Sequence, residues 1–190
     1  MGEGINTDYL LVGAGAMGMA FADLEGDGDL DLVVANHDDD SVSVLFFDTI
    51  SNTFNETTFA VGDGPSDVGI GDFIHTSMGP DFAVACTNVN SVEVFGNQYT
   101  SNPPFTQVGS VYASSPSGVD PGDVGDTKDL DDYVIRSTNT NDVYLRDGDG
   151  WGSVYGMLYT PVGVGSMPVA QAVADFDADG LDDVVTVNQG

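Results

Sequence analysis

Four aspartates, Asp31, Asp81, Asp132 and Asp183, each open a short run rich in apolar and β-branched residues, at intervals of 50, 51 and 51 residues. The runs read Asp31-Leu32-Val33-Val34, Asp81-Phe82-Ala83-Val84, Asp132-Tyr133-Val134-Ile135 and Asp183-Val184-Val185-Thr186. A spacing held over three successive intervals constrains the fold more than any single motif. Units of this period cannot bury an apolar face alone and must stack on their neighbours.

Each unit reads alike. A glycine-rich strand such as Phe59-Ala60-Val61-Gly62-Asp63-Gly64-Pro65 is expected first, then a short strand ending in Gly-Asp-Phe or Ala-Asp-Phe. An acidic loop follows, then the Val-rich strand, a polar turn and a second alternating strand, as in Ser41-Val42-Ser43-Val44-Leu45-Phe46 and Ser91-Val92-Glu93-Val94-Phe95. Four short strands per roughly 50 residues, divided by Gly, Asn, Asp and Pro, is the arithmetic of a β-propeller blade. No amphipathic helical pattern of useful length interrupts it. The expected fold is all-β: one domain over residues 1–190, a propeller-like array of four blades centred on loops 23–31, 72–81, 123–132 and 175–183. The array is expected to be incomplete or completed by a neighbouring chain, with Tyr9-Leu10-Leu11-Val12 as the outer strand of a blade whose other strands lie elsewhere.

Charge narrows the partners. Lys128, Arg136 and Arg146 face 31 acidic residues, a net of −28. Nucleic acid and anionic membranes would be repelled, since phosphate binding needs clustered Lys and Arg. Metal cations and neutral polar ligands fit better. A hydrophobic content of 41% argues for a folded chain rather than an acidic disordered one. Cys86, the only cysteine, sits in Phe82-Ala83-Val84-Ala85-Cys86 and reads as a buried, inert thiol. No apolar stretch has the length of a membrane-spanning helix. Residues 1–4 lack the basic region of a signal peptide, so an exported form is expected as a mature chain or a segment of a longer one.

Two of the four acidic loops carry a metal pattern. They are Asp23-Leu24-Glu25-Gly26-Asp27-Gly28-Asp29-Leu30-Asp31 and Asp175-Phe176-Asp177-Ala178-Asp179-Gly180-Leu181-Asp182-Asp183. Carboxylates stand at loop positions one, three, five and nine, with glycine at six; the seventh residue (Asp29, Leu181) would offer a backbone carbonyl. Hard oxygen donors at this density suit Ca²⁺, which takes six to eight of them. Two carboxylates about 4 Å apart repel by roughly 4 kcal/mol at an effective dielectric near 20, so four in one tight loop need a cation to order. An EF-hand fails: its twelfth position needs a bidentate Glu, where this chain has Val34 and Thr186. The two middle loops are eroded: 72–81 keeps only its end carboxylates, 123–132 contains Lys128, and each has one extra residue. In the second of them the Lys128 ammonium is expected to replace the ion. His75 reads as an exposed turn residue.

These motifs, Ala174-Asp175-Phe176-Asp177-Ala178-Asp179-Gly180-Leu181-Asp182-Asp183-Val184-Val185 above all, resemble the FG-GAP or VCBS-type repeat family of integrin α-subunit heads and secreted microbial proteins and lectins. The resemblance spans nearly the whole chain. It implies β-propellers, commonly seven-bladed, with calcium in the loop joining the first two strands of a blade. The implied ligands are Asp23, Glu25, Asp27, Asp29 (carbonyl) and Asp31, then Asp175, Asp177, Asp179, Leu181 (carbonyl) and Asp183. It also implies an extracellular or cell-surface location. Four repeats are few for a closed ring of this kind.

Other signals weigh less. Gly13-Ala14-Gly15-Ala16-Met17-Gly18 matches a dinucleotide-binding fingerprint, which is credible only if a helix follows; an acidic loop follows instead. The equivalent places read Val61-Gly62-Asp63-Gly64-Pro65 and Val162-Gly163-Val164-Gly165-Ser166, so this is the turn of the repeat. No nucleophile–base constellation stands out around His37 or His75, and no catalysis is expected. Trp151 either stacks on a sugar or packs within a blade. Asn55-Glu56-Thr57 is an N-glycosylation sequon, and the Ser/Thr/Pro-rich stretch 99–118 reads as strand and loop suited to O-glycans. The expected function is a calcium-stabilised extracellular binding or adhesion module recognising glycan or protein. The alternative is a structural subunit of an extracellular filament or surface assembly, joined to copies of itself through open blade edges. A third reading, an accessory part of a secreted hydrolase or lyase, has no residue that supplies the chemistry.

Overall fold

The computed structural model describes residues 10–74, 79–98, 104–124, 131–146 and 161–190. His75, Lys128, Trp151, Tyr9 and residues 99–103, on which expectations were placed, lie outside the described residues.

Among the described residues, fourteen strands form four antiparallel sheets in strict chain order. Blade 1 is β1 (Ala16–Ala22), β2 (Asp31–Asn36), β3 (Ser41–Asp48) and β4 (Thr53–Ala60). Blade 2 is β5 (Pro65–Gly71), β6 (Asp81–Cys86), β7 (Ser91–Asn97) and β8 (Phe105–Tyr112). Blade 3 is β9 (Pro116–Gly122), β10 (Asp132–Ser137), β11 (Asp142–Arg146) and β12 (Val162–Gly163). The fourth sheet is the pair β13 (Pro168–Ala174) and β14 (Asp183–Asn188). Helix is confined, among the described residues, to two single 3-10 turns, His37–Asp39 and Thr87–Val89. The inner strands β1, β5, β9 and β13 pack side by side, but β13 does not return onto β1. The molecule is an open, propeller-like arc.

Two details differ from the expectations drawn from sequence. Phe59 to Pro65 is not one strand: Phe59 and Ala60 end the outer strand β4, residues 61–64 cross to the next blade, and Pro65 begins its inner strand. Residues 10–12 form no strand. In both places a glycine-bearing crossover interrupts what reads as continuous β propensity. Gly64 (φ +67°) and Gly15 (φ +69°) supply its left-handed residue, and Ser115 and Met167 take the same conformation in the later blades. The dinucleotide-like Gly13–Gly18 segment is such a crossover, running straight into β1.

Each of the three crossovers that follow a described blade is pinned by a left-handed Asp or Asn between that blade's second and third strands. Asp40 accepts from Val61 N at its carbonyl and from Gly64 N at its side chain. Asn90 does the same for Ala113 N and Ser115 N, and Asn141 for Val164 N and Met167 N. Asp and Asn tolerate this backbone conformation and carry an oxygen at the right reach.

The core lies between blades. Val33, Val42, Val44 and Phe59 of blade 1 meet Val68, Phe82, Val84, Cys86, Phe95 and Phe105 of blade 2. Phe82 stacks on Phe95 at 4.8 Å, while Phe59 meets Phe105 edge-on at 6.0 Å. Ala83, Ala85, Val92 and Val94 of blade 2 then meet Val119, Tyr133 and Ile135 of blade 3, with Phe73 stacked on Tyr133 at 4.3 Å. Burying each Phe contributes about 2–3 kcal/mol. Burial also pushes the Cys86 thiol up to about 12, which makes it inert.

Candidate metal loops and the blade clasps

All four acidic loops join the first two strands of their sheets. The two with the full acidic pattern share one scaffold. In the first, the Asp23 carboxylate accepts Asp27 N at 3.1 Å and Gly28 N at 2.9 Å, and Asp27 accepts Asp29 N at 3.0 Å. In the last, Asp175 accepts Asp179 N at 3.2 Å and Gly180 N at 3.0 Å, and Asp179 accepts Leu181 N at 2.9 Å. Gly28 and Gly180, at φ +95° and +93°, make the sharp turn at the sixth position. Gly26 and Ala178 are left-handed as well; nothing lies within 4 Å of a Cβ placed at Gly26, so that turn is open to solvent.

The loops differ in convergence. Oxygens of Asp175, Asp177 and Asp183 come within 4.8 Å of one another on the exposed surface; among the described residues no other three metal-ligating side chains do so. Asp179 and Leu181 lie in the same turn. In the first loop Asp23, Glu25 and Asp29 are partly exposed and Asp27 fully so, whereas Asp31 is buried. Burial first, and then the charges of Asp31, Asp27, Asp23 and Asp48, push the Glu25 carboxyl up.

The ninth-position aspartate has a second task that sequence reasoning missed. One Asp31 oxygen accepts Leu24 N at 2.8 Å and the other Phe47 N at 2.9 Å. Asp81 accepts Phe73 N at 3.0 Å and Asn97 N at 2.9 Å, Asp132 accepts Val124 N, and Asp183 accepts Phe176 N. In every sheet this side chain latches the start of the loop to the start of the second strand. A buried backbone N–H left without a partner costs about 1–3 kcal/mol. That cost accounts for an aspartate that persists in the middle loops, where the metal pattern has gone.

A second missed device joins adjacent blades. Asp131 N donates to Asp72 O at 2.9 Å, while Asp72 N donates to the Asp131 carboxylate at 2.7 Å. One blade further on, Asp182 and Asp123 form the same reciprocal pair at 2.7 and 3.0 Å. Between blades 1 and 2 the clasping position is Pro80, which has no N–H; the Asn97 amide takes over, donating to Leu24 O at 2.7 Å and Pro80 O at 3.1 Å. The doubled acids Asp131-Asp132 and Asp182-Asp183 were the available signal. Beside this clasp a recess of about 500 Å³ is lined by Ala22, Ile70, Asp72, Ile74, Pro80 and Asp131.

The inner strands carry two further acids. Burial raises Asp67 to about 6, against hydrogen bonds from Val68 and Val119 N that lower it, and burial likewise raises Asp120. Arg136 lies near both and donates to Ser117 O at 2.6 Å. Asn55 is exposed on β4. His37 Nδ1 lies 3.0 Å from the carboxylate of its neighbour Asp38.

No family model matches the chain, and no curated protein does. Solved structures do. The crystal structure of BBS1N in complex with ARL6DN, soaked with lead, aligns with a TM-score of 0.66 at 15% identity over 94% of this chain and 53% of that one. The mercury-soaked crystal of the same complex gives 0.61 at 15% identity over 93% and 52%. The chain thus spans about half the length of the structure it resembles. At this identity the likeness establishes the fold, a propeller-type array of antiparallel blades.

Proposed function

We propose that the chain is a calcium-stabilised, non-enzymatic binding module of FG-GAP or VCBS type, working outside the cell or at its surface by recognising a glycan or another protein. The observation that carries the proposal is the convergence of Asp175, Asp177 and Asp183 on one exposed turn. The donor set fits Ca²⁺: hard oxygens only, a fourth carboxylate at Asp179, and a carbonyl at Leu181. Asp23, Glu25, Asp27, Asp29 and Asp31 would hold a second ion on the same backbone scaffold. The ions would neutralise repulsion within the loops and fix their shape; they supply no reactive centre.

Recognition of a protein partner is supported by the similar propeller, which was solved in complex with ARL6DN. Recognition of a neutral polar ligand is supported by the acidic surface and the recess beside Asp72 and Asp131. The test is a screen against arrayed glycans and extracellular proteins, run with millimolar calcium and again with chelator. Saturable binding to a defined target supports the proposal, and loss of that binding in chelator ties it to the loops. A folded, calcium-loaded protein that binds nothing on either array contradicts it.

A further inference from the structure

Apart from Asp67 in β5 and Asp120 in β9, the side chains of the inner strands sort by size. One face of β1 carries Met17, Met19 and Phe21, and the other carries Gly18, Ala20 and Ala22. In β5 the equivalent faces are Ser66, Val68 and Ile70 against Asp67, Gly69 and Gly71. Wherever two blades meet, the bulky face of the later strand seats on the small face of the earlier one. A Cβ added to Gly18 would lie 2.5 Å from Asp67 Cα, and one added to Gly69 would lie 2.6 Å from Val119 O. A Cβ on Gly122 would run into Val173. Small residues are thus what lets each following blade approach.

Both ends of the arc leave half of this joint unused. Met17, Met19 and Phe21 are 61%, 66% and 69% exposed, although Val68, in the register position of Met19, is buried. At the other end the small face of β13 offers Ala170 and Ala172, both exposed. Beside it Phe176, Val185 and Val187 are open to solvent, although their equivalents Phe73, Ala83 and Ala85 in blade 2 are buried. One end therefore presents the bulky half of the joint and the other end the small half. The two match each other, and neither matches itself.

We propose that the β13–β14 face of one molecule takes the β1 face of a second copy, in a head-to-tail joint that continues the internal blade stacking. The internal joints are its template: bulky Met17, Met19 and Phe21 over Ala170 and Ala172, with Phe176 covered as Phe73 is. Leu30, which stands where Asp131 and Asp182 stand in later blades, would bring its backbone N–H to Asp175 O. It lacks their carboxylate, so the joint would have one hydrogen bond fewer than those inside the chain. A heterologous joint of this kind either closes a ring or extends a filament, according to its rotation. This inference is independent of calcium and of any ligand.

The test is the mass of the 190-residue protein by light scattering at micromolar concentration. Salt near 0.15 M or above screens the mutual repulsion of a chain with net charge −28. The parent is expected at twice 19.8 kDa or a higher multiple. Phe21→Asp on one face and Val185→Asp on the other alter exposed residues, so each should stay folded and run as a monomer. Mixing the two variants leaves one intact joint and is expected to restore a one-to-one dimer. A parent that remains monomeric overturns the proposal. So does association that survives both substitutions, or a mixture that stays monomeric.

Discussion

Blade 2 and the fourth sheet come from the same repeat and are stabilised in opposite ways. Blade 2 is covered on both sides, its loop has shed the inner carboxylates, and Asp81 is wholly buried against two backbone N–H groups. The fourth sheet is covered on one side, its loop keeps every carboxylate, and Asp183 is exposed beside Asp175 and Asp177. One aspartate serves both. The contrast teaches that the constant of this repeat is the backbone latch. The cation-type ligand set is an addition, kept in loops where solvent-facing carboxylates can gather.

The largest expected effect comes from removing the latch where it is buried. Asp81→Ala should destabilise the protein by about 3 kcal/mol in a denaturant melt, since it strands two buried N–H groups. Asp183→Ala in calcium-free buffer should cost less than about 1 kcal/mol, because its backbone donor can turn to water. Equal losses would erase the contrast.

The inner strands provide the next comparison. Gly69→Ala, on the covered face, drives a methyl group into Val119 O and should cost about 2 kcal/mol. Ala172→Val, on the open face, should stay within about 0.5 kcal/mol in the monomer. A large loss at Ala172 would mean that this face is already covered within one chain.

A smaller effect concerns pH. Burial raises Asp67 from 3.8 to about 6, so the folded state binds more protons than the unfolded one between those values. Its contribution is therefore greatest at or below pH 4 and is lost as pH rises through 6. Asp67→Asn should remove that slope, measured in chelator, and stabilise the protein by about 1–2 kcal/mol at neutral pH. A parent and variant with parallel pH profiles would refute the assignment.

Much of this was legible in the chain. The aspartate spacing gives the blade count, the β-branched runs give the second strands, and the polar turns before Ser41, Ser91 and Asp142 give the third. Crossovers were misread at Phe59–Pro65, because the β propensity of Phe59 and Val61 runs on into a turn that Gly64, the left-handed residue, signals. The latch was hidden for a different reason: an aspartate that caps backbone and one that binds an ion are the same letter at the same position. Alternation of Met17, Met19 and Phe21 with Gly18, Ala20 and Ala22 was visible, but its meaning depends on which strand lies opposite.

The most direct test of the central proposal, in which the first and last loops would hold calcium while the fold is latched without it, is a thermal melt across a calcium series and in chelator. With affinities in the 0.1–1 mM range of extracellular modules, calcium at a hundredfold excess over the dissociation constant should stabilise by about 2.7 kcal/mol per site. That corresponds to a rise of about 5–10 °C for a chain of this size. Asp177→Asn should lose the last loop's share of the rise while melting as the parent does in chelator. A melting temperature indifferent to both calcium and chelator would contradict the account.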